Sequence, residues 1–364
     1  MSRLEQVVIA YETEAAARAR LTACGYDPDI AAEIAVYLAQ STDLPGFMPQ
    51  IRAALAGERI ACRFVELEEL PAMLPALAEE AAESLLWCLT DGIRYYRGAA
   101  VAALARLIDL PRFGAPAPAQ HLCQDKFASL ALAVAAGLPC PPTLLLEDAA
   151  TLAQLGTLPA DGPYFVKPNT LGAKIGIFAD SRCATRAEAT ARAARLWTRY
   201  ADRALVQPFV AGADVRVSFL DLGGTLRDQL GIYRLHTDAA GETAGAFMTM
   251  QDNATLSGLS ADRAFVPRME DLRAAGAPAA AAVAAIEDAA ERLARLLGLT
   301  DCFSMDFRLD AAGQPVFLEF EVCPAVTIHD FAAYLHGTHA TTLGPALARA
   351  MRLAHARHGG RMAA

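Results

Sequence analysis

Short apolar runs alternate with segments of helical spacing in the first third of the chain. Residues 7–10 (Val-Val-Ile-Ala) and 85–89 (Leu-Leu-Trp-Cys-Leu) are unbroken apolar runs of the length of a buried strand. Residues 29–39 carry their apolar positions at helical spacing, and the proline-rich segment 110–120 interrupts the pattern and predicts a domain boundary. Buried strands separated by helices predict a small parallel α/β domain, with ligand groups near the carboxyl ends of its strands.

Longer helices and neighbouring strands fill the rest of the chain, which predicts an α+β organisation. A helix is predicted over residues 124–136, with Lys126 near its start and Gly137 at its end. Residues 236–265 lack periodicity and are a candidate mobile loop over a site. Further predicted elements are strands at 164–168, 204–210 and 215–220, a strand returning from a glycine-containing turn at 169–177, and helices at 187–200, 279–297 and about 341–356.

A hairpin near the C-terminus carries the sharpest chemical signal. Its two strands, 302–309 and 315–322, each alternate apolar and polar residues. A turn centred on Ala312-Gly313 would place Asp306 opposite Glu319, and Ser304 opposite Glu321. Like charges directly opposed across a sheet are destabilising, so a cation is expected there, and hard oxygen ligands suit Mg²⁺ bridging to phosphates. The alternative is an ordinary solvated strand face.

Composition and charge narrow the functional classes. The apolar fraction of 54% and the charged fraction of 20% are typical of a globular protein, and the net charge of −9 argues against a nucleic-acid partner. The eight cysteines are scattered without a C-x-x-C pair, which favours free thiols in a reducing cytosol over a zinc site or disulfides. The N-terminus has no apolar signal segment, and the longest apolar stretch, 274–286, is too short to span a bilayer. A cytoplasmic protein without membrane contact is expected.

Two lysines and a glycine-containing turn are candidates for binding phosphates. Lys126 lies at a helix start, and Lys167 ends a strand just before the turn that contains Gly172 and Gly176. Glycine permits close backbone approach and leaves N–H groups free for anions. The turn is not a Walker A loop, because no G-x-x-x-x-G-K-[ST] is present. Taken alone, either lysine is more typical of a surface residue than of a phosphate ligand.

The order of these segments resembles the ATP-grasp superfamily, and within it the D-alanine–D-alanine ligases and related amino-acid ligases. The motifs cover about residues 90–327. The matching segments are Gln124-Asp125-Lys126, Val166-Lys167-Pro168 with Leu171-Gly172-Ala173-Lys174-Ile175-Gly176, Val206-Gln207-Pro208-Phe209-Val210, Met305-Asp306 and Leu318-Glu319-Phe320-Glu321-Val322-Cys323-Pro324.

The resemblance implies a three-part architecture with ATP bound between two subdomains. These parts are an N-terminal α/β domain (1–115), a central ATP-grasp subdomain (116–203) and a C-terminal one (204–364). The implied ligands are ATP and two Mg²⁺ ions, with Mn²⁺ as an alternative metal. The implied roles are phosphate binding by Lys126, Lys167 and the loop with Gly172 and Lys174, adenine binding by Gln207, Pro208 and Val210, ribose binding by Asp214, and metal binding by Asp306, Glu319 and Glu321.

Departures from the D-alanine ligase pattern bear on the substrate. Those enzymes carry an arginine two residues before the metal aspartate, which stabilises the oxyanion, and here that residue is Ser304. Arg308 and Arg216 are the candidate replacements. The family usually has Asn where Glu321 stands and Glu where Gln207 stands. The first D-alanine loop is also missing, since residues 11–14 read Tyr-Glu-Thr-Glu.

The expected activity is therefore ATP-dependent ligation of a carboxylate to an amine through an acyl phosphate, on a small acid other than D-alanine. Two alternatives stay open: an ATP-grasp enzyme with a non-amine nucleophile, and a nucleotide-binding module without catalysis. The expected partners are small-molecule carboxylate and amine substrates, and a homodimer is an expectation because dimers are frequent in this family. His329 is a candidate for substrate contact or for a capping role.

Overall fold

Three sheets with flanking helices make up the part of the chain that the computed structural model describes, which is residues 3–39, 47–89, 97–172, 174–236, 247, 249–250, 268–324, 326 and 329–362. The strands are β1 (Gln6–Tyr11), β2 (Ala61–Glu66), β3 (Ser84–Cys88), β4 (Arg112–Phe113), β5 (Thr143–Glu147), β6 (Ala150–Leu155), β7 (Tyr164–Pro168), β8 (Arg182–Cys183), β9 (Ala204–Pro208), β10 (Ala213–Leu220), β11 (Gly231–His236), β12 (Arg268–Asp271), β13 (Cys302–Leu309) and β14 (Pro315–Glu321). The helices are α1 (Glu14–Ala23), α2 (Pro28–Ala39), α3 (Phe47–Gly57), α4 (Leu70–Glu79), α5 (Arg97–Leu107), α6 (Ala117–Leu122), α7 (Lys126–Ala135), α8 (Arg186–Tyr200), α9 (Leu226–Gln229), α10 (Ala277–Leu297), α11 (His329–His339) and α12 (Leu343–Met362). None of the helices in these residues is long and apolar enough to cross a membrane.

The first sheet is parallel and has the strand order β2-β1-β3-β4, which confirms the α/β prediction for the N-terminal part. Its two apolar strands, β1 and β3, were predicted from the sequence. The edge strand β2 was missed because only one of its six residues is buried and its sequence, Ala-Cys-Arg-Phe-Val-Glu, contains no long apolar run. The C-terminal helix α12 covers this sheet: Leu347 and Met351 lie in one core with Val7 and Ile9.

The second sheet is antiparallel, with the order β6-β5-β9-β7-β8. Its middle strand, β9, pairs with β5 and β7. This strand therefore belongs to the second sheet, whereas the predicted boundary between residues 203 and 204 assigns it to the C-terminal subdomain. The strand expected to return from the 169–177 turn is the short β8, which pairs antiparallel with β7 and begins several residues later than predicted. A turn at 174–176 leads into a short 3₁₀ segment and then β8.

Helix α8 packs on this sheet. It begins at a capping box, in which Thr185 accepts from the Glu188 N–H and the Glu188 carboxylate accepts from the Thr185 N–H. Both termini of the helix therefore follow from the sequence, since the predicted start at residue 187 and end at Tyr200 agree with Arg186–Tyr200.

The third sheet is also antiparallel, with the order β12-β11-β10-β13-β14. Its last two strands are the predicted hairpin, closed by a turn in which Gly313 has a positive φ of 74°. The long helix α10 covers one face, and the other face is turned towards the central sheet. Helix α11 was not predicted.

Candidate active site

A β-bulge in the C-terminal hairpin determines which side chains face the cleft. Asp306 pairs with Glu319 and Ser304 with Glu321, as the sequence predicts, but Phe307 pairs with Phe317, so Leu318 is an extra residue. Such a bulge re-aims side chains and often lies next to an active site. Here it turns two consecutive residues, Leu318 and Glu319, away from the apolar core.

Two lysines, one at the start of α7 and one on β7, reach one carboxylate of the third sheet. The Nζ atoms of Lys126 and Lys167 lie 3.8 Å and 3.9 Å from the same Oε2 of Glu319. Both lysines are buried, whereas the Glu319 side chain is 36% exposed. The two predicted phosphate ligands and one predicted metal ligand therefore converge between the two subdomains.

The start of α7 fixes the position of Lys126. Asp125 caps the helix by accepting from the Ala128 N–H at 2.9 Å, and the Asn169 side chain both donates to Asp125 and accepts from the Phe127 N–H. The Lys126 ammonium donates to the carbonyl of Leu171 at 2.8 Å. Asn169 thus ties the helix to the glycine turn, a role that the sequence reasoning missed.

The glycine turn itself lies against Lys126. The Ile175 N–H donates to the Gly172 carbonyl, and Lys174 has a positive φ of 61°. Gly176 has a φ of +77°, and a Cβ there would lie 2.6 Å from Cγ of Pro168. Only glycine fits this close approach. The turn therefore brings the backbone of Gly172 and the charge of Lys174 to the same cleft.

The lysine charges reverse an expectation about Glu319. Clustered carboxylates were expected to raise each other's pKa values when no metal is present. Burial does act to raise the pKa of Glu319, but the nearby Lys167, Lys126, Arg216 and Lys174 charges outweigh it, so the pKa is lowered. Burial is the main cause that lowers the pKa of Lys167, against the raising effect of Glu319.

Arg216 lies among the other two predicted metal ligands. Its Nε is 2.7 Å from Oδ1 of Asp306 and its NH1 is 3.5 Å from Oε2 of Glu321. Among the residues that the structure describes, no three His, Cys, Asp or Glu side chains converge tightly enough to enclose a metal ion by themselves. The guanidinium instead supplies the positive charge between these two carboxylates.

Arg216 also reaches Ser304, the residue that stands in place of the family's arginine. Ser304 is buried, and Arg216 NH1 donates to its hydroxyl at 3.3 Å. The register explains the reach, because Arg216 pairs directly with Asp306 across the β10–β13 ladder. A guanidinium on β10 therefore lies beside the position where a β13 arginine would lie.

The end of β9 forms an apolar pocket with a small number of polar groups. Gln207, Pro208 and Val210 line it, as predicted for an adenine site, together with Leu318 from the bulge. Gln207 Nε2 donates to the Thr143 hydroxyl at 2.8 Å, and that hydroxyl donates to the Pro141 carbonyl at 2.8 Å.

Three phenylalanines pack against each other at the same pocket. The ring centroids of Phe165 and Phe247 are 5.1 Å apart, and each lies 6.1 Å from the ring of Phe209. Flat rings of this kind suit a purine face. The sequence reasoning overlooked these rings and Thr143, although Phe209 lies within a quoted motif and Phe165 directly precedes another.

Arg308 lies beside Asp214, the predicted ribose acceptor. Its NH1 is 2.9 Å from Oδ1 of Asp214, its NH2 donates to the Gly212 carbonyl, and its guanidinium lies 5.2 Å from the Phe209 ring centroid. Burial raises the pKa of Asp214, and the charge of Arg308 opposes this effect. The two predicted arginines therefore lie at different places: Arg216 among the hairpin carboxylates and Arg308 beside the predicted ribose acceptor.

Two predicted features lie outside what the structure describes. Most of the 236–265 loop falls outside the described residues, apart from its first residue and residues 247 and 249–250. The side chain of His329 is likewise outside the described part, so its substrate or capping role stays a prediction.

Comparison with known proteins gives one consistent picture. No protein-family model matches the chain. The chain is 26% identical over 266 residues to a D-alanine–D-alanine ligase of Gloeobacter violaceus, covering 71% of this chain and 78% of that protein. It is 25% identical over 299 residues to one of Nitrosospira multiformis, covering 76% and 88%.

Solved structures agree over nearly the whole chain. The D-alanine–D-alanine ligase of Bacillus anthracis complexed with ATP superposes with a TM-score of 0.64 at 14% identity, covering 99% of this chain and 100% of that one. The D-alanyl-alanine synthetase A of Vibrio cholerae gives 0.61 at 16% identity, covering 98% and 99%. The resemblance predicted from the motifs is confirmed at the level of the fold: the chain has the ATP-grasp fold of the D-alanine–D-alanine ligases, and the curated proteins that it matches carry that name.

Proposed function

We propose that the protein uses ATP to convert a carboxylate into an acyl phosphate, joins it to an amine, and acts on an amino acid or related small acid other than D-alanine. The observation that supports this choice of substrate is the serine at residue 304, where the D-alanine ligases carry an arginine. The Arg216 guanidinium, 3.3 Å from the Ser304 hydroxyl, enters from the neighbouring strand. The guanidinium that would contact the acid substrate therefore comes from β10, whereas in the D-alanine ligases it comes from the residue at the position of Ser304.

The nucleotide would lie along the cleft between the second and third sheets. The pocket at the end of β9 takes the purine, with Gln207 at its edge, and Asp214 accepts from the ribose. Lys126 and Lys167 then bind the phosphates, and Glu319 holds both ammonium groups in place until phosphate oxygens arrive. These groups act by positioning and by neutralising charge, which is the main requirement of phosphoryl transfer.

The hairpin carboxylates suit Mg²⁺ by their chemistry and placement. Asp306, Glu319 and Glu321 supply hard oxygen atoms on one strand face, and Arg216 already lies between two of them as a cation. Mg²⁺ usually takes one or two carboxylates plus substrate phosphates, so the carboxylates need not enclose it alone. When bound, the metal would neutralise the phosphate charge.

Arg216 is the residue that we assign to the oxyanion of the tetrahedral intermediate. Its NH1 donates to the hydroxyl of the buried Ser304, the residue that stands where the D-alanine ligases carry their oxyanion-binding arginine. Preorganised donors of this kind stabilise charge that develops in the transition state. Arg308, whose donors are directed at Asp214 and the Gly212 carbonyl, serves the nucleotide instead.

A screen of phosphate release tests the proposal. The protein, ATP and Mg²⁺ are mixed with pairs of amino acids and other carboxylates, and products are identified by mass spectrometry. We expect an ADP-forming amide product from at least one pair, with D-alanine plus D-alanine a poor pair. Efficient D-alanyl-D-alanine formation would refute the choice of substrate, and the absence of any acid-dependent phosphate release would refute the ligase function.

Two arginine variants separate the roles on the productive pair. Arg216→Met should lower kcat by about 10²–10³-fold, the usual loss for one oxyanion donor. Arg308→Met should mainly raise the KM for ATP. The opposite pattern would show that the roles of the two arginines are exchanged.

A further inference from the structure

A compact group of charges lies at the carboxyl ends of the first two strands, and the ATP site does not use it. Glu12 directly follows β1, and its side chain is only 2% exposed. Arg20 binds both of its oxygens, with Nε to Oε1 at 2.7 Å and NH2 to Oε2 at 2.8 Å. Arg97 NH1 donates to Glu12 Oε1 at 2.8 Å and to Glu68 Oε1 at 2.7 Å.

This end of the parallel sheet adjoins the segment that follows the metal strand. The thiol of Cys323, two residues beyond Glu321, donates to the carbonyl of Cys88 at the end of β3. Cys88 pairs with Ala10 in the neighbouring strand β1, and Glu12 lies two residues further along, about 7 Å by the rise of a strand. In open α/β sheets, ligands bind in the crevice outside these carboxyl ends. The charged group therefore lies at the same end of the first sheet as the segment that follows β14.

Arg97 retains donors that no residue of the described part satisfies. Both of its hydrogen bonds come from NH1, and neither Nε nor NH2 has a partner among the described residues. The side chain is 27% exposed, so a ligand can reach it. Two N–H groups on one edge of a planar guanidinium match the two oxygens of a carboxylate.

Glu12 is already engaged by two cations, so it does not offer a free carboxylate to a substrate ammonium group. Its buried charge is held by Arg20 and in turn fixes the guanidinium of Arg97. Glu12 and Glu68 together balance the charges of Arg20 and Arg97, and they fix the orientation of the Arg97 guanidinium. What the group offers a carboxylate is therefore the pair of N–H donors on the Nε/NH2 edge of Arg97, not a net positive charge.

We propose that Arg97 binds a second carboxylate of the acid substrate, so the substrate is an acid with two carboxylate groups. One carboxylate is activated beside the hairpin, and the other pairs with the Nε/NH2 edge of Arg97, with Glu12 as its positioning residue. No bond forms or breaks at Arg97. The assignment rests on the proposed ligase function and narrows its substrate class.

The test compares dicarboxylic amino acids with their monoamides. Wild-type protein with ATP and Mg²⁺ is given glutamate, glutamine, aspartate, asparagine or D-alanine, in both enantiomers where relevant, and hydroxylamine serves as the amine that traps an acyl phosphate as a hydroxamate. We expect hydroxamate from a diacid with a kcat/KM about 10- to 100-fold above that of its monoamide, the value of one charge-assisted hydrogen-bond pair of 1.5–3 kcal/mol.

Variants distinguish binding from structural support. Arg97→Met should remove the preference for the diacid by raising its KM, while kcat/KM for the monoamide changes little. Arg97→Lys keeps a charge near Glu12 but loses the planar fork, so it should recover only part of the preference. Arg106→Met is the matched control, because Arg106 lies on the same helix, is 76% exposed, and should leave every ratio unchanged.

The outcomes are separable. A wild-type protein that uses monoamides or D-alanine as well as diacids overturns this inference and leaves the ligase function standing. An equal loss for both substrate types in Arg97→Met and Arg97→Lys assigns a purely structural role to Arg97, which also overturns it. No hydroxamate and no acid-dependent phosphate release with any acid overturns both the inference and the proposed function.

Discussion

Replacing Glu319 by glutamine should destabilise the protein when no nucleotide is bound. Considering only the hairpin, one expects the opposite, because the substitution relieves repulsion from Asp306 across the ladder. The structure adds two ammonium groups within 4 Å of the same Glu319 oxygen, at 3.8 Å and 3.9 Å. In the variant, Lys126 and Lys167 lose the anion that they share and are left near each other.

The distances give a magnitude for this loss. A pair at 4 Å in a surrounding of effective dielectric constant 20 is worth about 4 kcal/mol before solvent is considered. Because the Glu319 side chain is 36% exposed, solvent screening reduces each pair to about 1 kcal/mol or less. Relief of the repulsion from Asp306 offsets part of the sum. The expected net destabilisation is about 1 kcal/mol, or a Tm lower by about 2 °C.

Thermal unfolding of the protein with and without ATP and Mg²⁺ provides the assay. The Tm of Glu319→Gln should be lower than that of wild type in the unliganded state and should rise less on addition of ATP and Mg²⁺. Glu321→Gln is the control, since Glu321 contacts Arg216 and Ser304 rather than the lysines. An unliganded Glu319→Gln protein as stable as wild type, or more stable, would show that repulsion between the carboxylates dominates and that the lysine attraction is overestimated.

The same variant has a defined pH dependence. The pKa of Glu319 is lowered in the folded protein below its ordinary value of 4.5. Its stabilising contribution is therefore complete above that ordinary value and is lost as the pH falls through the lowered folded-state pKa. The Tm difference between wild type and Glu319→Gln should be largest near neutral pH and should disappear on acidification. A difference that persisted in acid would have another cause.

Three further predictions concern the nucleotide. The Thr143 hydroxyl accepts from the Gln207 amide and so leaves the Gln207 oxygen free to accept from the purine amino group. Thr143→Val removes this acceptor, so the ratio of kcat/KM for ATP over GTP should fall by about tenfold. Thr143→Ser keeps the hydroxyl and should retain the ratio. Asp214→Asn, which loses the ion pair with Arg308, should raise the KM for ATP by about tenfold with little change in kcat, and an unchanged KM would contradict the ribose assignment. Lys167→Met should weaken ATP binding by about 10- to 100-fold in calorimetry. Because burial lowers the pKa of Lys167, the ATP affinity of the wild type should decline as the pH rises, at pH values below the ordinary lysine pKa of 10.5. This decline should be absent from the variant.

Periodicity and turn chemistry were sufficient to predict the elements with strong local signals. The strand β7, the helix α7 and the hairpin were located from the sequence because their apolar patterns and their end residues agree, although the Asp125 cap starts α7 two residues later than predicted. Edge strands with exposed side chains, such as β2, lack that signal. The membership of β9 in the central sheet depends on pairing with β5 and β7, which are far apart in sequence.

The candidate site was predictable in its residues but not in its charge balance. The order of the motifs assigned Lys126, Lys167 and Glu319 to one site. In the structure both ammonium groups lie within 4 Å of the same Glu319 oxygen. The direction of the pKa change at Glu319 could not follow from the hairpin, because it depends on lysines that reach across from another sheet. Thr143 was missed for a similar reason: its hydrogen bond to Gln207 crosses 64 positions of sequence.

Residue 304 is a serine where the D-alanine ligases carry an arginine, and the nearby positive charge comes from Arg216 on the neighbouring antiparallel strand. Ser218 pairs with Ser304, and Arg216 pairs with Asp306 on the same ladder. The Arg216 guanidinium on β10 therefore lies beside the space that a longer side chain at residue 304 of β13 would fill. It also forms ion pairs with Asp306 and Glu321. Because Arg216 shares its charge with those carboxylates, its hold on a substrate oxyanion should strengthen when a metal ion takes over their charge. If the proposed metal and oxyanion sites are right, metal occupancy and Arg216 should be coupled, and the loss of kcat in Arg216→Met should be greatest at saturating Mg²⁺. A loss independent of the Mg²⁺ concentration would mean that the guanidinium and the metal act separately.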